Sequence, residues 1–194
     1  MEKIWLASKS PRRAELLTRL GLEYEILTAE VDETVDGEPY ACVETLAKRK
    51  ADAGAEKAGA GWVLAADTLV FLDGKALGKP EDEQDAKRML RALAGKTHQV
   101  LTGMCLKNAA TGESFVRHDG ARVTFDEMTE DEIEDYISTD EPYDKAGGYA
   151  VQGRAALYIA GVTGDFYTVV GLPIHLVRTM LRDEFGVDIR DIEE

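Results

Sequence analysis

Residues 62–72 read WVLAADTLVFL. A strand with one wet face alternates apolar and polar residues. This run barely alternates, so it predicts a strand covered on both faces of its sheet. Asp73-Gly74 then gives a two-residue hairpin signal. A sheet buried on both faces needs helices on both sides, and the rest of the chain supplies them. Strands are expected at Lys3–Ala7, Tyr24–Leu27, Thr97–Lys107, Glu113–Phe125 and through AALYIAG at 155–161. Between them, apolar residues at helical spacing predict helices at Pro11–Leu20, Tyr40 to about Lys57, Glu81–Leu93, from the cap Thr129 through Tyr136, and Gly171–Phe185. The tail DIRDIEE is polar and expected to fray. Strands interleaved with helices favour an α/β fold, a mixed β-sheet with flanking helices. No repeat, linker or low-complexity stretch interrupts the 194 residues, so a single domain over 1–194 is expected.

Some residues break these local rules, and such breaks tend to mark functional sites. Asp67 interrupts the apolar run. A buried carboxylate costs several kcal/mol unless it is paired or bound to metal. Asp67 at a strand end, capping the next turn, is the plainer reading, but strand formers continue on both sides. The carboxyl end of a strand is also where open α/β sheets bind ligands. In SPRR, Ser10 is a good N-cap and Pro11 a good first helical residue, yet Arg12 and Arg13 fall where the helix end already carries partial positive charge. They are either a solvated surface pair or part of an anion site. Lys50 lies on the apolar stripe of its helix (Val43, Leu46, Ala47, Gly54), either snorkelling to the rim or working there. Lys48 and Arg49 lie off that stripe and read as solvated.

Three loops complete the set. AEVDETVDGEP carries Asp32 and Glu33 and reads, in isolation, as a solvated acidic loop. Gly78-Lys79-Pro80 reads as a turn presenting Lys79. KAGGYAVQG, from Lys145 to Gly153, is either a plain loop or one whose glycines let backbone approach a ligand. It matches neither GxGxxG nor a phosphate-binding GxxxxGK[ST].

A formal net charge of −14 argues against a general nucleic-acid or anionic-membrane partner, although one local basic pocket would stand out against it. No stretch approaches the roughly 20 apolar residues that span a bilayer, and no secretory signal is visible. Cys42 and Cys105 lack CxxC spacing and are expected as reduced thiols in the cytoplasm. His98, His118 and His175 are scattered without a zinc motif, and there is no GxSxG elbow. There remain cations (Arg12, Arg13, Lys50, Lys79, Lys145) and carboxylates (Asp32, Glu33, Asp67). Cations neutralise polyphosphate; carboxylates hold Mg²⁺ or activate water. Phosphoryl chemistry on a nucleotide follows if the two sets converge, which spacing alone does not fix.

In order along the chain, LASKSPRRAELL, VDE, LAKRKA, AADTLV, GKP, ML..L.GKTHQV.TG and DKAGGYAVQG…VVGLP resemble the Maf family of nucleotide pyrophosphatases. The match runs from Leu6 to about Leu181, and its pattern looks most like the dTTP/UTP branch. The resemblance implies a fold similar to the inosine-triphosphate pyrophosphatases, with two lobes around a deep cleft. It implies hydrolysis of a nucleoside triphosphate to the monophosphate and pyrophosphate, with a divalent metal, Mg²⁺ or Mn²⁺. The family's catalytic proton acceptor maps onto Asp67, and its positions for substrate choice onto Arg12, Thr68 and Gln152. Ser8, Arg13, Glu33, Lys50 and Lys79 map onto the family's polar cleft positions. Joined with the charge pattern, Ser8, Arg13, Lys50 and Lys79 are expected to bind phosphate and nucleotide and Glu33 to hold the metal, with Asp67 as proton acceptor, metal ligand or both. An Asp near its ordinary pKa of about 3.9 is a weak base, so it needs either a raised pKa or a metal-bound water. A cytoplasmic homodimer that cleans or controls the nucleotide pool is implied as well. The alternatives are the family's 7-methyl-GTP branch and a nucleotide-binding regulator of septum formation with little turnover; the intact Asp67 argues against the second.

Overall fold

The expected interleaving is present in the computed structural model, which describes residues 3–28 and 30–185. The polar tail lies outside the described residues. In chain order the elements are β1 (Ile4–Ala7), α1 (Pro11–Arg19), β2 (Tyr24–Leu27), α2 (Pro39–Ala58), β3 (Trp62–Leu72), β4 (Lys75–Leu77) and α3 (Glu83–Leu93). They continue with β5 (Thr97–Asn108), β6 (Ser114–Phe125), α4 (Glu130–Ile137), β7 (Ile159–Gly164), α5 (Phe166–Val170) and α6 (Ile174–Phe185). The strands form one mixed sheet in the order β2-β1-β3-β5-β6-β7, with β4 paired to β3 off that path. β1 is parallel to β2 and to β3, whereas β3–β4 and β6–β7 are antiparallel.

Local signals set most boundaries. Asp73 (φ 50°) and Gly74 (φ 78°) close the β3–β4 hairpin, and glycine takes such a φ without steric cost. Thr129 opens α4 with a complete capping box to Glu132. Asp82 caps α3 by accepting from the Asp85 N–H, which starts that helix at Glu83 rather than Glu81. Ser10 is extended before α1, but its side chain makes no cap hydrogen bond. The expected strand through AALYIAG starts only at Ile159. Arg154–Tyr158 forms a 3₁₀ turn, because the N–H groups of Arg154 and Ala155 are taken by the Glu141 carboxylate instead of a strand ladder. The last helix begins at Ile174, after Pro173, and a separate short helix, α5, precedes it. Asp165 supplies the start of α5 by accepting from the Tyr167 N–H at 2.9 Å.

The chain divides into two compact units. The first comprises residues 1–67, 102–119 and 171–194; the second comprises 68–101 and 120–170. The first has a cluster of small buried residues, Ala7, Ala47, Ala51, Ala55, Val63, Ala65 and Cys105, where α2 lies against β1, β3 and β5. The second has a bulkier core that includes Leu90, Phe125, Ile133, Tyr136 and Tyr149. Both cysteines are free and buried, and burial pushes the Cys105 thiol up to about 12. Among the described residues no helix is long and apolar enough to cross a membrane.

His98 is enclosed in the second unit. One ring nitrogen, Nε2, meets the Tyr149 hydroxyl at 2.6 Å, and Nδ1 has no hydrogen-bond partner among the described residues. Burial pushes its pKa down to about 4 from an ordinary 6.5. The unfolded chain therefore takes up this proton more readily than the folded one. The neutral ring's contribution is complete above pH 6.5 and is lost as pH falls toward 4, by about 3 kcal/mol in all. His98→Gln should therefore flatten the fall in urea midpoint between pH 7 and pH 4.5. Parallel curves for the two proteins would rule His98 out as the acid-sensitive group.

Candidate active site

The first unit assembles its charged residues at the end of β1. The register pairs Leu6 with Leu64, and β1 stops at Ala7 while β3 runs on to Leu72. Asp67 thus falls on the part of β3 that extends past the carboxyl end of β1, where the chain leaves through SKSPRR. It is 7 % exposed and sits mid-strand, so its charge needs a partner. The partner is Lys50, whose Nζ bonds Asp67 Oδ1. The same ammonium contacts Glu33 Oε1 at 2.8 Å. Lys50 owes this place to its helix. Its neighbours on the stripe, Val43, Leu46, Ala47 and Ala51, are buried, so the lysine rides the packed face of α2 onto β3.

Ser8 and Arg13 form the second part of the patch. Ser8 Oγ accepts from the Ser10 N–H at 3.1 Å and from Arg13 Nη1 at 3.3 Å. Arg13 Nε donates to the Gly171 carbonyl at 2.7 Å, which fixes the guanidinium at both edges. Burial lowers the Arg13 pKa, Asp67 raises it, Arg12 lowers it and Glu33 raises it, with a net lowering. A guanidinium nonetheless stays charged. Asp67, Arg12 and Glu33 are therefore each within electrostatic reach of Arg13. Arg12, half-buried, follows Pro11 in the first turn of α1.

Glu33 is exposed, as expected of a solvated acidic loop, but its loop is tied down. Arg49 Nη1 donates to the carbonyls of Asp32 (2.9 Å) and Thr34 (2.8 Å), on either side of it. Asp32 Oδ1 accepts from the Thr34 N–H at 2.9 Å, closing a local turn, and this bond lowers the Asp32 pKa. Adjacent residues of α2 thus share the loop: Arg49 grips its backbone and Lys50 takes its carboxylate. Sequence reading placed Arg49 in solvent, because carbonyl acceptors leave no mark in a sequence.

The second unit holds the other candidates. Thr68, half-buried, follows Asp67 on β3. Lys79 is exposed on the GKP turn, and the Gly147 N–H donates to the Gly78 carbonyl at 2.9 Å, tying that turn to the glycine-rich segment. A Cβ on Gly147 would lie 3.0 Å from Val70 Cγ2, and its φ is 72°, so both space and backbone call for glycine there. Gln152 is exposed on the same segment. Lys145 is committed locally, donating to the Glu141 carbonyl at 2.7 Å and pairing with Asp144.

Three cations, Arg12, Arg13 and Lys50, therefore share a patch with two carboxylates, Glu33 and Asp67. Two carboxylates drawn to one positive charge are a hard oxygen donor set, which suits Mg²⁺ or Mn²⁺. Guanidinium and ammonium groups beside them suit phosphate oxygens.

The family model described as Maf-like protein matches residues 3–184. The chain is 49 % identical, over 97 % of its length and 98 % of the relative's, to the dTTP/UTP pyrophosphatase of Moorella thermoacetica. It is 48 % identical, over 97 % of its length and 100 % of the relative's, to that of Desulforamulus reducens. A third relative, from Bacillus cereus, carries the same name at 45 % identity over 97 % of this chain and 98 % of its own. Among solved structures the chain is similar to the Staphylococcus aureus Ham1 protein, with a TM-score of 0.55, 14 % identity, and 94 % of this chain and 100 % of that one covered. That likeness concerns the fold alone.

Proposed function

The chain belongs to the Maf-like family, and on that premise we propose that it is a pyrophosphatase that hydrolyses dTTP and UTP to the monophosphate and pyrophosphate. The observation that carries this reading is Lys50 held between Asp67 and Glu33 beside Arg13. This is a compact site with charges for both a polyphosphate and a hard cation, in a chain whose net charge is −14. The names of relatives 48–49 % identical over nearly the whole chain supply the substrate.

In this reading the guanidiniums of Arg12 and Arg13 and the ammonium of Lys50 bind the phosphates and offset charge that develops as pyrophosphate leaves. Lys79 is assigned to the phosphates on the motif match. Ser8 keeps Arg13 oriented through the bond it already accepts from Nη1. Glu33 and Asp67 would hold Mg²⁺ or Mn²⁺, which supplies charge neutralisation on the phosphates and a more acidic water. Asp67 takes the proton from the water that attacks the α-phosphorus; its Oδ1 faces Lys50, so Oδ2 is assigned this proton. The bond from the α-phosphorus to its bridging oxygen breaks, and pyrophosphate carries away that oxygen. Thr68 and Gln152 hydrogen-bond the pyrimidine edge, so a base with the wrong donor pattern leaves them unpaired. Arg12, the third position for substrate choice, is assigned like them on the motif match. A homodimer acting on free nucleotides in the cytoplasm rests on the same resemblance.

The test is pyrophosphate release from dTTP, UTP, CTP and 7-methyl-GTP, with Mg²⁺, with Mn²⁺ and with chelator. Metal-dependent release from dTTP and UTP, with one monophosphate formed per pyrophosphate, is expected. Orthophosphate as the product, preference for 7-methyl-GTP, or full activity in chelator would each defeat the reading.

A further inference from the structure

The glycine-rich segment that carries Gln152 takes its shape from a residue outside it. Glu141 lies four residues before Lys145, within the second unit. Its Oε1 accepts the Tyr136 hydroxyl at 2.7 Å and the Ala155 N–H at 3.3 Å, and its Oε2 accepts the Arg154 N–H at 3.0 Å. The Tyr136 hydroxyl in turn accepts the Ala150 N–H at 3.3 Å. The turn from Ala150 to Ala155 is thus tied to one carboxylate at both ends, through Tyr136 on the leading side and directly on the trailing side. Gln152 sits between the two ties, exposed.

Two further observations show that this carboxylate is built in. A Cβ on Gly153 would overlap Glu141 Cδ and both carboxylate oxygens, so only glycine lets the turn close on it. Burial raises the Glu141 pKa, but the bonds from Arg154, Tyr136 and Ala155 and the nearby Lys145 outweigh it, and the group is held below its ordinary value. Charge-assisted bonds from backbone N–H groups are among the stronger ones a loop can make.

We propose that Glu141 is a positioning residue that fixes the turn bearing Gln152 and thereby sets discrimination between pyrimidine bases, without touching the substrate itself. This rests on the reading of Gln152 as a base-recognising residue. A pocket that reads a base by hydrogen bonds discriminates only as well as its donors and acceptors are held. Glu141→Gln keeps the side chain's size and one acceptor but turns the other into an NH₂ that faces a backbone N–H, and the remaining neutral oxygen accepts more weakly than a carboxylate, which loosens the trailing end.

The test joins two readouts on the full chain. Amide hydrogen exchange at Arg154 and Ala155 should quicken about tenfold in Glu141→Gln, because the bonds that protect them open. The ratio of kcat/KM for dTTP over dCTP should fall about tenfold, mainly through a raised KM for dTTP, with kcat kept within about threefold. Tyr136→Phe loosens only the leading tie, and it should move exchange at Ala150 and the dTTP/dCTP ratio in the same direction by about threefold. It carries the test should Glu141→Gln not fold. Unchanged exchange at Arg154 and Ala155 would overturn the clamp. Faster exchange with an unchanged ratio, or a loss of kcat alone, would make Glu141 merely structural and overturn its part in discrimination. If the wild-type protein turns over no pyrimidine triphosphate, the functional reading and the discrimination fall together, while the amide readout still decides the clamp.

Discussion

Asp67→Asn should lower pyrophosphate release from dTTP by about a thousandfold, within the range a general base contributes. That is about 4 kcal/mol of transition-state stabilisation. The substitution is nearly isosteric and, on the proposed reading, removes two things together, the proton acceptor and one of two anionic metal ligands. It should not remove the fold. Deleting one partner of a buried ion pair is costly when it strands the other charge. Here the Lys50 ammonium keeps Glu33 Oε1 at 2.8 Å, and the amide oxygen of an asparagine still accepts from it. The expected result is a protein that melts within a few degrees of wild type and still binds triphosphate. Near-normal pyrophosphate release by the purified variant would remove Asp67 from the chemistry. A collapse in melting temperature would show that the Lys50 pair holds the structure rather than the site.

The sequence marked Asp67, Lys50, Arg12 and Arg13 by what was wrong with each locally, but not where they went, and Glu33 and Lys79 carried no such mark. Asp67 stood out because it breaks an apolar run, and Lys50 because it sits on an apolar stripe. Neither anomaly reveals that they meet, since that depends on how α2 lies over β3, a tertiary register without a local signature. The β3–β4 hairpin and the α4 capping box were legible because a few adjacent residues decide them. The start of β7 was not, because a carboxylate 13 residues before Arg154 claims the N–H groups of Arg154 and Ala155. Arg49 was misplaced for a related reason, since it grips carbonyls 15 and 17 residues away. Local pattern finds elements and suspicious residues; side chains that bind distant backbone escape it.

Gly103→Ala should be among the most destabilising single-methyl additions in the molecule, and it should weaken the site as well. Gly103 lies within β5, where a Cβ would overlap the carbonyl of Val43 and sit 2.8 Å from the Glu44 nitrogen. These are backbone atoms of α2, so no side chain can swing aside, and the helix itself must move. It has little freedom to do so. At its far end Gly54 packs so closely that a Cβ there would meet Val63 Cγ1 at 2.8 Å and Ala7 Cβ at 3.1 Å. Ala47, Ala51 and Ala55 fill the contact between. A helix seated on such small residues opens a gap along its length when one end lifts, and the lost contacts add up. The cost should reach the top of the range for overpacking, about 3 kcal/mol. For a chain of this size that lowers the melting temperature by roughly 6–12 °C. Lys50 rides the same face of α2 seven residues after Val43, so the displacement also draws its ammonium away from Asp67. Gly161→Ala is the control, since a Cβ there meets nothing within 4 Å, and it should stay within about 0.5 kcal/mol of wild type. Calorimetry of both variants, with kcat/KM for dTTP taken well below either melting point, separates the two effects. Equal melting temperatures for the two variants would mean that α2 is not seated on β5 at Gly103. A lower melting temperature with unchanged kcat/KM would mean that the seating of α2 does not hold Lys50 on Asp67.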